Sequence, residues 1–373
     1  MFSIETFSFI KWFLHPSAFF HTLFYWWKIF SRILLKKFDT IMGTKIYQFI
    51  YYPSYLKKMA KLVEPYAYNA GFLKNIKATD HKHDVNSLEM VGPVVIKLST
   101  SKLICENIPD WSKEFEDREN TFSLHRWGWL LMLAVENPSV GTKKWGIRVM
   151  KDWLLKMKHL KSHSAWESYS TSERIVNALL FFYILRKYPC KADEDLEFLE
   201  QGLMEMAGHV IRNLEFHGEL TNNHVLNNAR ALYMLGRFSG CENMADIGRK
   251  IFIEETPKMI TPSGFLREDS ASYHLLLLRT YLEVLWTANY TDDVLFSKKT
   301  KPFVASMVKA ANFLRIYDDV EKRWAIPLIG DVTPDFPLGW LGNIFRSRPA
   351  MDLYCPVGCE VDFSSGWNGI WKT

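Results

Sequence analysis

The chain has 373 residues, of which 48% are hydrophobic and 23% charged, with a formal net charge of +5. This is the balance of a globular protein with enough apolar material for a core of ordinary size. No run of Lys and Arg interleaves with aromatic residues, which excludes a nucleic-acid module, while a mildly positive chain suits an anionic polymer.

Residues 1–35 are rich in Phe, Trp, Ile and Leu, but Lys11, His15, His21 and Lys28 interrupt them. No uninterrupted span reaches the length of a membrane helix, and the segment lacks the layout of a cleavable leader. The expected structure over 1–40 is one or two aromatic amphipathic helices docked on the main domain. The alternative is peripheral contact with the inner membrane through residues 1–37, where Lys28, Arg32, Lys36 and Lys37 lie beside Trp26, Trp27, Phe30 and Leu34. Either way the expected location is the cytoplasm.

Strand-like alternation is scarce beyond 91–99 and 324–329. Helical spacing dominates instead. Leu124, Trp127, Leu131 and Ala134 repeat with it, as do Ile175, Ala178, Leu179 and Phe182. Further apolar helical segments are expected near 145–158, 196–214, 224–238, 243–254, 272–289 and 302–316. Breakers such as Pro138, Pro189 and Gly264 separate them. Successive helices with short loops give antiparallel hairpins, so the fold class is mainly α.

Five cysteines (Cys105, Cys190, Cys241, Cys355 and Cys359) are odd in number and scattered, which argues against a disulfide framework. Cys355 and Cys359 lack a second Cys/His pair, so no metal is expected, and no cofactor fingerprint appears. Aromatic residues reach 15%. Core packing and stacking on sugar rings are both open to them.

Two stretches place reactive residues immediately before an apolar helical pattern. Asn222, Asn223 and His224 precede Val225, Ala229 and Leu232. Glu268, Ser270, Tyr273 and His274 precede Leu277, Leu278 and Tyr281. Side chains clustered at helix starts can converge on one cleft. Taken alone, an Asn pair in that position reads as a helix cap, Ser270 as another cap, Tyr273 as a half-buried aromatic and His274 as a core histidine.

These stretches resemble the heparinase II/III superfamily of polysaccharide lyases, in which an Asn-His pair opens one helix and a Gly-x-x-x-Glu-x-Ser-x-x-Tyr-His motif opens a later one. Here the second motif is Gly264, Glu268, Ser270, Tyr273 and His274. Residues 120–131, 166–175 and 327–331 look like the same family, in the same order. The resemblance implies an incomplete α/α toroid, helical hairpins around a groove, over about 41–350. It also implies an acidic polysaccharide or oligosaccharide as partner. Family members carry a β-sandwich after the helical domain, which supplies a catalytic His in well-studied heparin-sulfate lyases. Only about forty residues follow Asp331, with 351–373 reading as a remnant of the sandwich linker, and no His follows His274. That role would then fall to His224, to His274 or to a partner chain with a β-rich domain, or go unfilled.

A uronate lyase must neutralise the C6 carboxylate, remove the C5 proton and protonate the C4 leaving oxygen. Asn223 suits the first task. Tyr273, His224 and Glu268 are the candidates for proton transfer, with Glu268 also able to orient a neighbour. His125, Arg126, Arg174, His274 and Asp331 are expected to bind substrate. A glycosidase on the same scaffold, using Glu268 with Asp331 or Glu215, is one alternative. A non-catalytic glycan-binding or assembly protein in cell-surface polysaccharide biosynthesis is another.

Overall fold

The computed structural model describes residues 48, 50–57, 59, 67–76, 93–188, 193–218, 221–268, 270–314, 316–318 and 323–325. The expected amphipathic helices and membrane contact over 1–40, Asp331, Cys190, Cys355, Cys359 and the tail 351–373 lie outside these residues. Two compact units divide the chain at Lys58 and Met59. In the first, a short helix α1 spans Ser54–Lys57. Everything below concerns the second. Among the described residues no helix is long and apolar enough to cross a membrane.

The first strands among the described residues of that unit form an antiparallel hairpin, β1 (Val94–Lys97) and β2 (Lys102–Cys105), with Val95 opposite Ile104. Alternation puts Val94, Ile96, Leu103 and Cys105 inward and Val95, Lys97 and Ile104 outward. A succession of helices follows: α2 (Arg118–Arg126), α3 (Gly128–Glu136), α4 (Val140–Met157), α5 (Ser168–Ile184), α6 (Asp193–Arg212), α7 (Asn223–Ser239), α8 (Glu242–Met259), α9 (Ala271–Tyr290) and α10 (Val294–Leu314). A second small hairpin pairs β3 (Ile316–Asp318) with β4 (Arg323–Ala325).

The expected periodicity from Leu124 to Ala134 is interrupted. Trp127 adopts φ +61°, ending α2 and opening α3. A bulky residue in the left-handed region is strained, and surrounding contacts must hold it there. Arg174 Nη1 donates to the His125 carbonyl at 2.7 Å and Asn177 Nδ2 to the Arg126 carbonyl at 2.9 Å. The two carbonyls just before the bend are thus clamped from α5.

The helices form two layers. α3, α5, α7 and α9 pack side by side in sequence, while α4, α6, α8 and α10 lie against them from outside. This is the incomplete α/α toroid. An inner helix touches neighbours on most sides, so apart from Tyr169 every residue of α5 is buried. α7 and α8 approach unusually closely because two glycines face the contact. A Cβ on Gly248 would sit 2.6 Å from the Ala229 carbonyl oxygen, and one on Gly236 would sit 2.4 Å from the Ala245 nitrogen.

Four charged residues inside the inner layer pair with one another. Glu173 on α5, Arg230 on α7, and Arg279 and Glu283 on α9 form a buried quartet. Arg230 donates to Glu173, and to Glu283 at 2.8 Å; Arg279 donates to Glu173 at 2.9 Å and to Glu283 at 3.1 Å. Burial alone would raise the Glu173 pKa, but Arg230 and Arg279 hold it down at about 2.

Candidate active site

The starts of α7 and α9 carry the residues in question, and their caps explain which side chains are left to act. Asn222 is the N-cap of α7, its side chain accepting from the His224 N–H at 3.2 Å. Ser270 caps α9 by accepting from the Tyr273 N–H at 3.0 Å. Cap duty therefore falls on Asn222 and Ser270, and Asn223, His224 and Tyr273 all line one cavity of about 600 Å³. Arg126, Glu167, Tyr169, Glu173 and Arg279 share its wall.

Residues separated by 49 positions meet because α7 and α9 are neighbours in the inner row and begin on the same side. Glu268 joins the two starts. Its carboxylate accepts the backbone N–H of Asn223 but does not line the cavity. Partial burial of the carboxyl raises its pKa, against the lowering by that N–H and by His224. This is an orienting geometry.

His224 is held on two sides. Its ring lies 4.7 Å from that of Tyr169, and Nδ1 is 3.0 Å from Glu215 Oε1. Facing a carboxylate, Nδ1 carries the proton and Nε2 becomes the exchangeable site. Glu215 is itself fixed: Asn228 Nδ2 donates to its Oε2 at 3.1 Å, and its own N–H donates to Asn228 Oδ1 at 3.0 Å. Burial depresses the His224 pKa, but the hydrogen bond and charge of Glu215, with Glu167, outweigh it and raise the pKa above the usual value. Glu167, Glu215 and His224 place potential ligand atoms within 4.8 Å of one another, the closest approach to a metal-binding set among the described residues.

Arg126 is the expected binding residue that does reach the cavity. Its guanidinium lies 5.0 Å from the Tyr169 ring and donates to Ser170 Oγ at 3.1 Å. Three other expectations do not fit where the structure puts the side chains. His125 is fully buried and accepts from Trp153 Nε1 at 3.0 Å, and burial and Arg174 push its pKa down to about 3. Arg174 is fully buried over the Trp153 ring at 3.9 Å and is bound to the carbonyls of His125 and Ala165. His274 accepts from the Leu266 N–H, and its Nε2 lies 3.1 Å from the Met307 carbonyl oxygen. All three are buried, and none of them lines the cavity. The fourth, Asp331, lies outside the described residues.

Sequence reasoning missed Tyr169, Glu215 as the partner of His224, and Arg279. Tyr169 and Glu167 lay within the stretch 166–175. Arg279 gave no signal, because it sits mid-helix in an apolar run.

A family model described as "Heparinase II/III N-terminus" matches residues 52–322. The chain belongs to the heparinase II/III N-terminal family. Solved structures similar to this family member include heparinase III, at 15% identity and TM-score 0.49 over 90% of this chain and 54% of that one. Heparan sulfate lyase HepC from Pedobacter heparinus is 15% identical, with TM-score 0.48 over 85% of this chain and 54% of that one. The heparinase III BT4657 gene product is 18% identical, with TM-score 0.43 over 56% and 37%. The chain thus spans about half the length, or less, of these structures. No curated protein matches it.

Proposed function

We propose that this protein is the helical part of a polysaccharide lyase that cleaves a uronate-containing glycan by β-elimination. The observation that carries the reading is that Asn223, His224 and Tyr273, from two separate helix starts, line a single cavity. In this reading the Asn223 amide donates to the C6 carboxylate of the uronate, without adding a competing base. The positive end of α7 adds to that stabilisation. With the carboxylate neutralised, the C5 proton becomes acidic enough for a base to take. Its electrons form the C4–C5 double bond as the C4–O bond breaks, and the leaving oxygen receives a proton.

His224 Nε2 and the Tyr273 hydroxyl are the two proton carriers. His274 is tied on both nitrogens, so the histidine role passes to His224, with Glu215 fixing its tautomer. Glu268 positions the two helix starts. An acidic polysaccharide is the ligand.

Incubation with a panel of uronate polymers should release chains with unsaturated, ultraviolet-absorbing ends. Tyr273→Phe, which removes only the proton-bearing oxygen, should lower that rate by at least about a hundredfold with little change in thermal stability. A parent protein that yields no unsaturated end from any uronate polymer would sink the proposal. So would a Tyr273→Phe variant that keeps full activity.

A further inference from the structure

The outward face of α10 carries apolar surface that neither the core nor the cavity encloses. Phe296, Thr300, Val304, Met307, Val308 and Ala311 bury the opposite face of the helix, and no residue of α10 lines the cavity. Yet the three most exposed large hydrophobic side chains among the described residues all stand on this helix: Phe313 at 79%, Leu295 at 78% and Val294 at 71%. The charge on the same helix is one-sided. Lys298, Lys299, Lys301 and Lys309 are all exposed, and α10 contains no Asp or Glu. Among the described residues none of these lysines has a carboxylate within ion-pair distance, whereas Arg249, Lys250 and Lys258 on α8 each meet one. Leu295, Pro302, Ser306, Lys309 and Phe313 fall on one line at helical spacing, with Lys298 and Lys299 to either side. Leu295 and Phe313 stand about 27 Å apart along it.

We infer that this face docks the protein on an anionic phospholipid surface, with α10 lying in the plane of the headgroups. The lysines meet lipid phosphates, their alkyl stems lying along the helix. Val294 and Leu295 at one end and Phe313 at the other enter the boundary of the acyl chains. Other occupants fit less well. A second copy of this chain, related by a two-fold axis, would set lysine against lysine. A soluble polyanion would satisfy the charges but leave the apolar ends in water. The docking surface is independent of the lyase reading, since α10 stands outside the cavity.

The test is co-sedimentation of the intact chain with vesicles of phosphatidylcholine, alone or mixed with phosphatidylglycerol. The anionic vesicles should be bound at least about tenfold more tightly than the neutral ones. Lys298→Glu with Lys299→Glu should lower that affinity at least about tenfold, because each lysine near such a surface contributes about fivefold. Leu295→Ser with Phe313→Ser keeps the charge and should lower it several-fold. Both variants change only exposed side chains, so their thermal midpoints should match the parent's. Lys144→Glu with Arg148→Glu makes the same change in net charge at exposed positions of α4, and should leave binding nearly unchanged. The inference is overturned if the parent chain does not bind anionic vesicles. It is overturned if both α10 variants bind as well as the parent, which would put the contact elsewhere on the chain, or if the α4 variant loses as much affinity as the α10 lysine variant. Loss in the lysine variant alone would make the face a general polyanion site and would overturn it too.

Discussion

Asn222 and Asn223 are adjacent and chemically identical, yet backbone geometry gives them different work. Asn222, in extended conformation, turns its amide back to cap α7, while Asn223 is the first helical residue and its side chain reaches the cavity. Separate effects should follow. Asn222→Ala should cost about 1 kcal/mol of stability in chemical denaturation, with turnover reduced only slightly. Asn223→Ala should leave stability nearly intact and lower turnover by about a hundredfold, as expected for a lost transition-state donor. His224 lends itself to a pH experiment. Its pKa is raised by Glu215, so the acid limb of the rate profile should lie above the ordinary histidine value of about 6.5. Glu215→Gln removes the charge that raises it and should move that limb to lower pH. The stability sign follows from linkage. A raised folded pKa contributes stability fully present below about 6.5 and lost as pH rises through the folded value. Glu215→Gln should therefore destabilise the protein more in mildly acidic than in alkaline buffer. An acid limb that does not move would remove Glu215 from the proposed site.

At the scale of elements, two contacts decide how the helices sit. The bend at Trp127 separates neighbouring residues, leaving Arg126 on the cavity wall while His125 is enclosed by Trp153 and Arg174. Apolar period alone predicts a single helix through this point, since Leu124, Trp127 and Leu131 keep the spacing on both sides. The α7–α8 contact depends on Gly236 and Gly248, where backbone approaches backbone. Gly248→Ala puts a methyl 2.6 Å from the Ala229 carbonyl oxygen, and a carbonyl within a helix cannot turn aside. We expect a loss of roughly 2 kcal/mol or more, outweighing the helix propensity gained. Denaturant midpoints of the variant and parent would measure it.

At the scale of the whole molecule, the buried quartet ties α5, α7 and α9 together directly beneath the cavity. Four formal charges enclosed by inner helices are tolerated because each meets an opposite one. Arg230→Met leaves Glu173 and Glu283 to share the single cation Arg279 in the interior, an excess of buried negative charge that should cost about 3–5 kcal/mol. Because Glu173 and Arg279 also form part of the cavity wall, the same change should lower activity in whatever fraction stays folded. Calorimetry combined with the unsaturated-end assay separates the two losses. A variant as stable as the parent would show that the quartet contributes little net stability.

The mainly helical class was legible in the chain itself, because apolar spacing at 3.6 residues is a local property that survives any arrangement of the helices. The starts of α7 and α9 were legible too, through Asn222, Ser270 and the motif residues around them. What the sequence left open was the direction in which each side chain points. His125, Arg174 and His274 have the same chemistry as a binding residue, and only tertiary packing puts them under Trp153 or between Leu266 and Met307, away from the cavity. Conversely Arg279 and Tyr169 lie in helices that read as buried, and reach the wall because inner helices open onto a shared groove. Helix period and caps are written in neighbouring residues. Access to a cavity is decided by residues 50 or 100 positions away, whose placement follows from the fold as a whole.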